Sequence, residues 1–507
     1  YRELGVVKNA SSDLLMNIEP EGNASRLKIF ATSVQKDLHI VVVKEDEQVL
    51  DIIRDVTPEM ILEEWVPVDT LTGLRVSICN SKGKLLLSWE PEPNEIKEVP
   101  EPAKAALDPK DIQTTEQLYL TGLHLEQYRH ATYAATDYYE EALSRDPDDV
   151  RNNNAMGLWL IRKGQFAKAE PYLRRAVKTL TEKNPNPYDG EPLYNLGLSL
   201  KYQGKTDEAY DYFYKACWNA AWQDAGYYSL AQLSASKGNW EDALYEIDKS
   251  LLRNWHNLRG RHLKAVVLRH LGRVDEALDL IRESLAIDCF NFGCSFEEYL
   301  LTGEKAVLDD LLVRMRSEGH NYEELSLDYA SAGCWEEALK VVEVAFEVVA
   351  SERTLLYYYK SWFLLSLGRL KEAEMAICVA EHQSADCCFP NALEAIKALQ
   401  EVIRFADVVP KAHYYLGNLW YDKRQYPEAI AEWEKSVEQD DTFPTVLRNL
   451  SLAYFNKLDK QQEAVALLER AFKLDIRDAR ILMELDQLYK RLNRPHADRL
   501  DLLDKLK

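Results

Sequence analysis

His124 and His130 flank Glu126, a mixture of imidazole and carboxylate from which metal and proton-transfer sites are commonly built. A helix brings two such ligands together at i and i+4, and these histidines lie six residues apart. The spacing therefore gives both a structural role. Arg259, Arg261, His262, Arg269 and His270 crowd one stretch of sequence. Such a cluster is either a solvated helix face or a contact for an anion or acidic peptide. Adjacent glutamates such as Glu140 and Glu141 carry no assignment in so acidic a chain. The sequence holds no G-x-x-x-x-G-K-[ST], no G-x-G-x-x-G after a strand, no H-E-x-x-H and no G-x-S-x-G. It offers no catalytic residue, no metal ligand set and no cofactor motif.

The eight cysteines do not pair by spacing: Cys289 and Cys294 form one C-x4-C without a second, and Cys387 and Cys388 are adjacent. Free thiols packed on helix faces in a reducing compartment are expected, and a cytoplasmic location with them. The 507 residues carry 62 Lys+Arg against 84 Asp+Glu, a formal charge of −22. A surface this acidic repels phosphate backbones and anionic lipid, so neither nucleic acid nor membrane is expected as a partner. No apolar run is long enough to cross a bilayer. The chain opens Tyr1-Arg2-Glu3 instead of with Met, from which a natural N-terminus further upstream is expected.

What positions these residues is a repeat. Gly157, Ala169, Leu173 and Ala176 return at the same spacing as Gly197, Ala209, Phe213 and Ala216. They return again as Ala231, Ala243, Ile247 and Ser250, and as Ala265, Ala277, Ile281 and Ser284. The same four points start from Ser326, Ser361 and Gly417 and, with one residue inserted, from Gly122 and Ser451. Small residues let two helices cross closely, and the large third residue fills the gap to the next pair. Gly164, Gly204, Gly238, Gly272, Gly333 and Gly368 fall where the first helix of a pair must stop. The pattern resembles the tetratricopeptide repeat (TPR), a helix–turn–helix unit. The fourth-point residues, from Ala142 to Ala471, are mostly 34 or 35 apart, with gaps of 61 and 56 that hide degenerate units near 304–318 and 391–405. A 40-residue gap holds the insertion Asn184-Pro185-Asn186-Pro187-Tyr188-Asp189-Gly190, rich in turn residues. The expected fold is mainly α: a TPR-like α-solenoid of about nine to eleven helical hairpins over 111–507.

A TPR superhelix lines its concave face with positions 2, 5, 9 and 12 of each first helix. Aromatic residues at these positions are Tyr119, Tyr194, Tyr228, Tyr358, Trp362 and Tyr414, and polar ones are Arg151, Asn154, Lys201, His262, Arg269 and Asn418. Aromatics with a few donors suit a groove for a peptide or a sugar chain. The TPR subclass that clamps a C-terminal carboxylate needs Asn at position 9, where Leu158 and Leu198 stand, so that subclass does not fit.

The first ninety residues differ. β-branched and apolar runs at 14–18, 27–31, 38–43, 49–53, 74–78 and 85–89 predict six or seven short strands. They suit a small Ig-like antiparallel β-sandwich over 1–90. A Pro/Glu-rich linker follows over 91–110, with Pro91, Pro93, Pro100, Pro102 and Pro109 keeping it extended.

Three stretches are unusual for a TPR: 118–130 (LYLTGLHLEQYRH), 184–197 (NPNPYDGEPLYNLG) and 216–223 (ACWNAAWQ). With the opening Gly5-Val6-Val7-Lys8-Asn9-Ala10, they resemble an uncharacterised bacterial family in which a mutarotase-like β-sandwich region precedes a TPR array. The resemblance implies that this chain is the C-terminal part of a longer protein in a carbohydrate context. Two functions are expected from these readings. One is a non-catalytic scaffold binding a peptide or protein segment on the concave face. The other is an accessory half of a carbohydrate-active enzyme, glycoside hydrolase or mutarotase-like, whose catalytic sandwich lies upstream of Tyr1 and supplies any carbohydrate contact.

Overall fold

Alternation in the first ninety residues sends one set of side chains inward. In β3 (Ala24–Ala31), Leu27, Ile29 and Ala31 are buried while Arg26 and Lys28 face outward. β1 (Asn9–Ala10), β2 (Leu14–Glu21), β3 and β6 (Leu62–Val66) form one antiparallel sheet in the order β1-β2-β3-β6. β4 (Gln35–Lys44), β5 (Glu47–Val56), β7 (Leu74–Cys79) and β8 (Leu85–Trp89) form the other, in the order β5-β4-β7-β8. Leu14, Met16 and Ile18 of one sheet and Leu38, Ile40, Val42, Val76 and Ile78 of the other share a single core. The sequence pattern missed β6, whose Leu62-Glu63-Glu64-Trp65-Val66 interrupts its apolar residues with two acids. Glu63 is exposed and pairs with Arg26, while Glu64, on the other face of the strand, is half-buried and pairs with Arg54.

This computed structural model describes residues 3–92, 99, 101–102, 104–128, 130, 132–349, 354–386 and 388–504. Tyr1, Arg2, Cys387 and much of the expected linker, Pro93 and Pro100 included, lie outside the described residues. The chain forms two compact units, Tyr1–Ala105 with Val274–Arg314, and Ala106–Arg273 with Met315–Lys507. The expected array over 111–507 is thus shared between them. In the first unit, the β region is joined by helices Val274–Ile287 and Phe292–Thr302. Arg314 donates to the Cys289 carbonyl there, and burial together with the Glu59 carboxylate pushes the Cys289 thiol up.

The second unit is a TPR-like solenoid of paired helices. The small–large register of the repeat is a set of direct contacts. A Cβ on Gly122, Gly157, Gly197 or Gly417 would lie within 2.4–2.7 Å of Tyr139, Leu173, Phe213 or Trp433, each the large residue of the same pair. The turn glycines hold φ between +71° and +77°, the left-handed conformation that ends a helix. Each of the two degenerate stretches has its own form. Residues 292–315 hold the helix pair Phe292–Thr302 and Lys305–Met315. The later stretch contributes one helix, Leu393–Phe405, lying directly between the hairpin ending at His382 and the one opening at Pro410. Four of the described cysteines, Cys217, Cys294, Cys334 and Cys388, are buried and outside any disulfide, and burial pushes Cys217 up to about 12.

Candidate functional site

The inner-face residues named above are drawn together, but into packing and hydrogen bonds. Among them only Arg151 is exposed; it pairs with Glu116 and lies over the Tyr119 ring at 5.7 Å. Asn154 accepts from Asn195 at 3.0 Å, and Tyr194 stacks on Trp222 with centroids 5.0 Å apart. Lys201 donates to Gln232 at 2.6 Å, and Gln232 donates to Ser331 at 2.6 Å. Burial lowers Lys201 to about 8. His262 sits edge-on to Tyr329 at 4.7 Å; burial, with Arg269 and Arg259 nearby, holds it down to about 3. Tyr228 is half-buried beside Asp328 and Arg259, and desolvation of its hydroxyl, first among the causes, pushes it well up. Tyr358 donates to Glu381 at 2.7 Å, Trp362 meets Trp335 at 5.4 Å, and Tyr414 meets Phe443 at 4.8 Å. Asn418 accepts from both Trp433 and Asn449 at 3.1 Å.

Neighbouring hairpins supply part of this cover, and contacts between distant segments of the second unit add to it. Helix Leu393–Phe405 buries Ala395, Ile396, Ala398 and Leu399. Its Glu394 accepts from Tyr202 at 3.0 Å, and Ile396 reaches Gly164 of the second hairpin. Lys397 lies 5.9 Å over the Trp362 ring. Gln165 and Lys168 donate to Glu428 at 2.8 and 2.6 Å, joining segments some 260 residues apart in sequence. What remains open among Tyr228, Arg259, His262 and Asp328 is a cavity of about 10 Å3, the space of one water. Burial, opposed by Arg259, raises Asp328 to about 7.

The basic cluster splits the same way. Arg261 is fully buried over the Trp255 ring at 4.3 Å, while Arg259 pairs with Glu324 and Asp328. Arg269 and His270 both engage Glu337, at 2.8 and 3.1 Å, holding its carboxyl at about 2 despite burial. His270, Cys334 and Glu337 offer three metal-type ligand atoms within 4.8 Å of one another. The Arg269 guanidinium, 2.8 Å from Glu337, already neutralises that carboxylate. His124 and His130 lie apart in role: His124 tilts against Tyr128, and His130 Nδ1 accepts from the backbone N–H groups of Thr132 and Tyr133.

The open surface lies elsewhere, at the insertion 184–190. Its wall is fixed: Lys215 donates to Asn186 at 2.9 Å, Asn219 donates to the Tyr188 carbonyl, and Gly190 sits where a Cβ would be 2.8 Å from Trp222. Between the loop and the turn after helix Thr206–Ala216 opens a pocket of about 610 Å3. Tyr188 and Trp218 stand at it 98% and 57% exposed, with the Lys215 ammonium 3.5 Å over the Trp218 ring. The inner-face rule passed over both residues. The signal that marks them is the break in repeat spacing at 184–190 together with the Trp218-Asn219-Ala220-Ala221-Trp222 run.

Residues 9–89 match the family profile of the second domain of YphG-like proteins. Residues 190–217 and 410–443 each match tetratricopeptide-repeat profiles. The chain is a TPR-repeat protein. Similar solved structures include the MamA protein, at 21% identity over 34% of this chain and 91% of that one, with a TM-score of 0.30. The human IFIT1 dimer with m7Gppp-AAAA is 17% identical over 71% of this chain and 72% of that one, TM-score 0.31. The P58(IPK) TPR domain is 17% identical over 68% and 99%, TM-score 0.22.

Proposed function

We propose that this TPR-repeat chain is a non-catalytic interaction scaffold that holds a protein segment in the pocket beside the insertion 184–190. The observation that carries this reading is the exposure of Tyr188 and Trp218 at the mouth of a pocket whose loop wall is already pinned. Large aromatic side chains left in water at a preformed concavity are the usual anchors of a protein contact. Lys215, lying on Trp218, adds a positive charge, so the matching segment carries an apolar side chain or proline next to a carboxylate. An inner-face site would instead require helix Leu393–Phe405 to give up its contacts with Gly164, Tyr202 and Trp362.

The test is a phage-displayed peptide library selected on the intact chain, with binders measured by fluorescence anisotropy. Tyr188→Ser and Trp218→Ser should each weaken binding at least tenfold and leave the thermal melt unchanged. Lys201→Met, inside the second unit, should leave affinity alone. Binding that survives both outer changes and falls with Lys201→Met moves the segment to the inner face.

A further inference from the structure

A cleft of about 680 Å3 opens in the second unit beside the first turn of helix Ala135–Arg145 and the ends of helices Val150–Arg162 and Pro410–Asp422. Among the described residues its lining carries four cations, Arg162, Lys163, Lys423 and Arg424, against two carboxylates, Glu126 and Asp422, with the His130 imidazole beside them. That excess of positive charge stands in a chain of net −22. Glu126 already accepts from Arg162 at 2.6 Å and from Tyr139 at 3.2 Å, and Asp422 approaches Lys423 at 3.4 Å. Among the described residues, neither Lys163 nor Arg424 belongs to an ion pair; Lys163 lies 5.6 Å over the Trp159 ring. Burial, then the Arg424 and Lys423 charges, pushes Lys163 down.

The backbone adds an independent sign. Arg424 holds φ +60°, in the turn position where six other hairpins place glycine and where Asp459 and Asn493 serve the last two. Aspartate and asparagine tolerate that conformation; arginine gains nothing from it locally. A strained residue whose charged end has no ion-pair partner among the described residues fits a role toward an outside ligand. The first turn of helix Ala135–Arg145 has no side-chain cap, and Ala134, Ala135 and Thr136 line the same cleft. Uncapped N–H groups at a helix start favour an anion.

We infer that this cleft binds a phosphorylated small molecule, its phosphate held by Arg424, Lys423 and Lys163 and its planar or apolar body against Trp159 and Tyr133. Three converging cations favour a doubly charged phosphate over a single carboxylate, and guanidinium matches two phosphate oxygens at once. The volume is that of a small-molecule site, far larger than a bare phosphate needs.

Isothermal titration of the intact chain at low salt tests this with pyrophosphate, adenosine monophosphate and uncharged adenosine as probes. Both phosphates should give saturable heat and adenosine none, with weakening as salt is raised. Arg424→Gly installs the residue of the other turns, so it should melt no lower than wild type yet weaken both phosphates at least tenfold. Lys163→Gln should weaken them similarly. The inference falls if neither phosphate saturates at millimolar concentration, or if both bind Arg424→Gly as tightly as wild type.

Discussion

His262 has no hydrogen-bond partner for its Nε2 among the described residues and is held neutral inside the second unit, its pKa at about 3 against an ordinary 6.5. The sign of its effect on stability follows. Between pH 6.5 and 3 the unfolded chain binds a proton there that the folded chain refuses, so stability is lost as pH falls through that window. The slope is about 1.4 kcal/mol per pH unit for a group so fully buried. His262→Asn removes the titration while keeping a polar side chain of similar reach. Urea midpoints of wild type should fall more steeply from pH 6.5 to pH 4 than those of the variant; parallel profiles would mean that His262 is protonated in the fold.

At the scale of the helix pair, two opposing effects decide what happens at Gly197. Alanine in a helix interior is favoured over glycine by about 1 kcal/mol. Here the added Cβ would lie 2.7 Å from the Phe213 ring, and the ring is fully buried with no room to retreat. Overpacking of this kind costs about 1–3 kcal/mol. Gly197→Ala should therefore lower the urea midpoint, and a rise would show that the pair can open. Ala209 and Ala338, buried at the corresponding crossings, should respond to Leu in the same direction and by about the same amount.

At the scale of the second unit, closure is carried by contacts that no single hairpin contains. Gly164 and Gly204 share the same left-handed turn conformation, φ +75° and +77°. A Cβ on Gly204 meets nothing within 4 Å, whereas on Gly164 it would lie 2.4 Å from Ile396 and 2.9 Å from Trp420. Gly204→Ala should cost about 1–2 kcal/mol of backbone strain alone. Gly164→Ala should cost about 1–3 kcal/mol more, the excess measuring the closure contact. Hydrogen exchange gives a further readout: only Gly164→Ala should speed exchange in helix Leu393–Phe405. Equal effects of the two substitutions would mean that the unit opens there without loss.

A truncation addresses the division into units. Val274–Arg314 clusters with the β region at the front of the chain. Removing residues 1–105 should therefore leave helix Glu191–Tyr202 protected from exchange while helices Val274–Ile287 and Phe292–Thr302 lose protection. Uniform protection across both would show that the repeat alone holds them.

The sequence by itself determined the hairpins. Gly157 against Leu173, or Gly417 against Trp433, is a contact between residues sixteen apart, and such pairs leave a periodic record of small and large side chains. The strands were legible from their own alternation, except the two-residue β1 and β6, where two adjacent glutamates broke the apolar run. Which faces stay open was not local. Tyr228, Trp362 and Tyr414 stand at positions that line an open groove in an ideal superhelix, and here each is covered or paired. Trp362 lies under Lys397 of helix Leu393–Phe405, Tyr228 beside Asp328 and Tyr414 against Phe443, and contacts such as Gln165 to Glu428 join segments 263 residues apart. The meeting of Arg424 with Lys163, and of His270 with Cys334, is of the same kind. A repeat pattern specifies each pair and its neighbour; small rotations summed over many pairs decide what finally touches what, and that sum has no signature in any one segment.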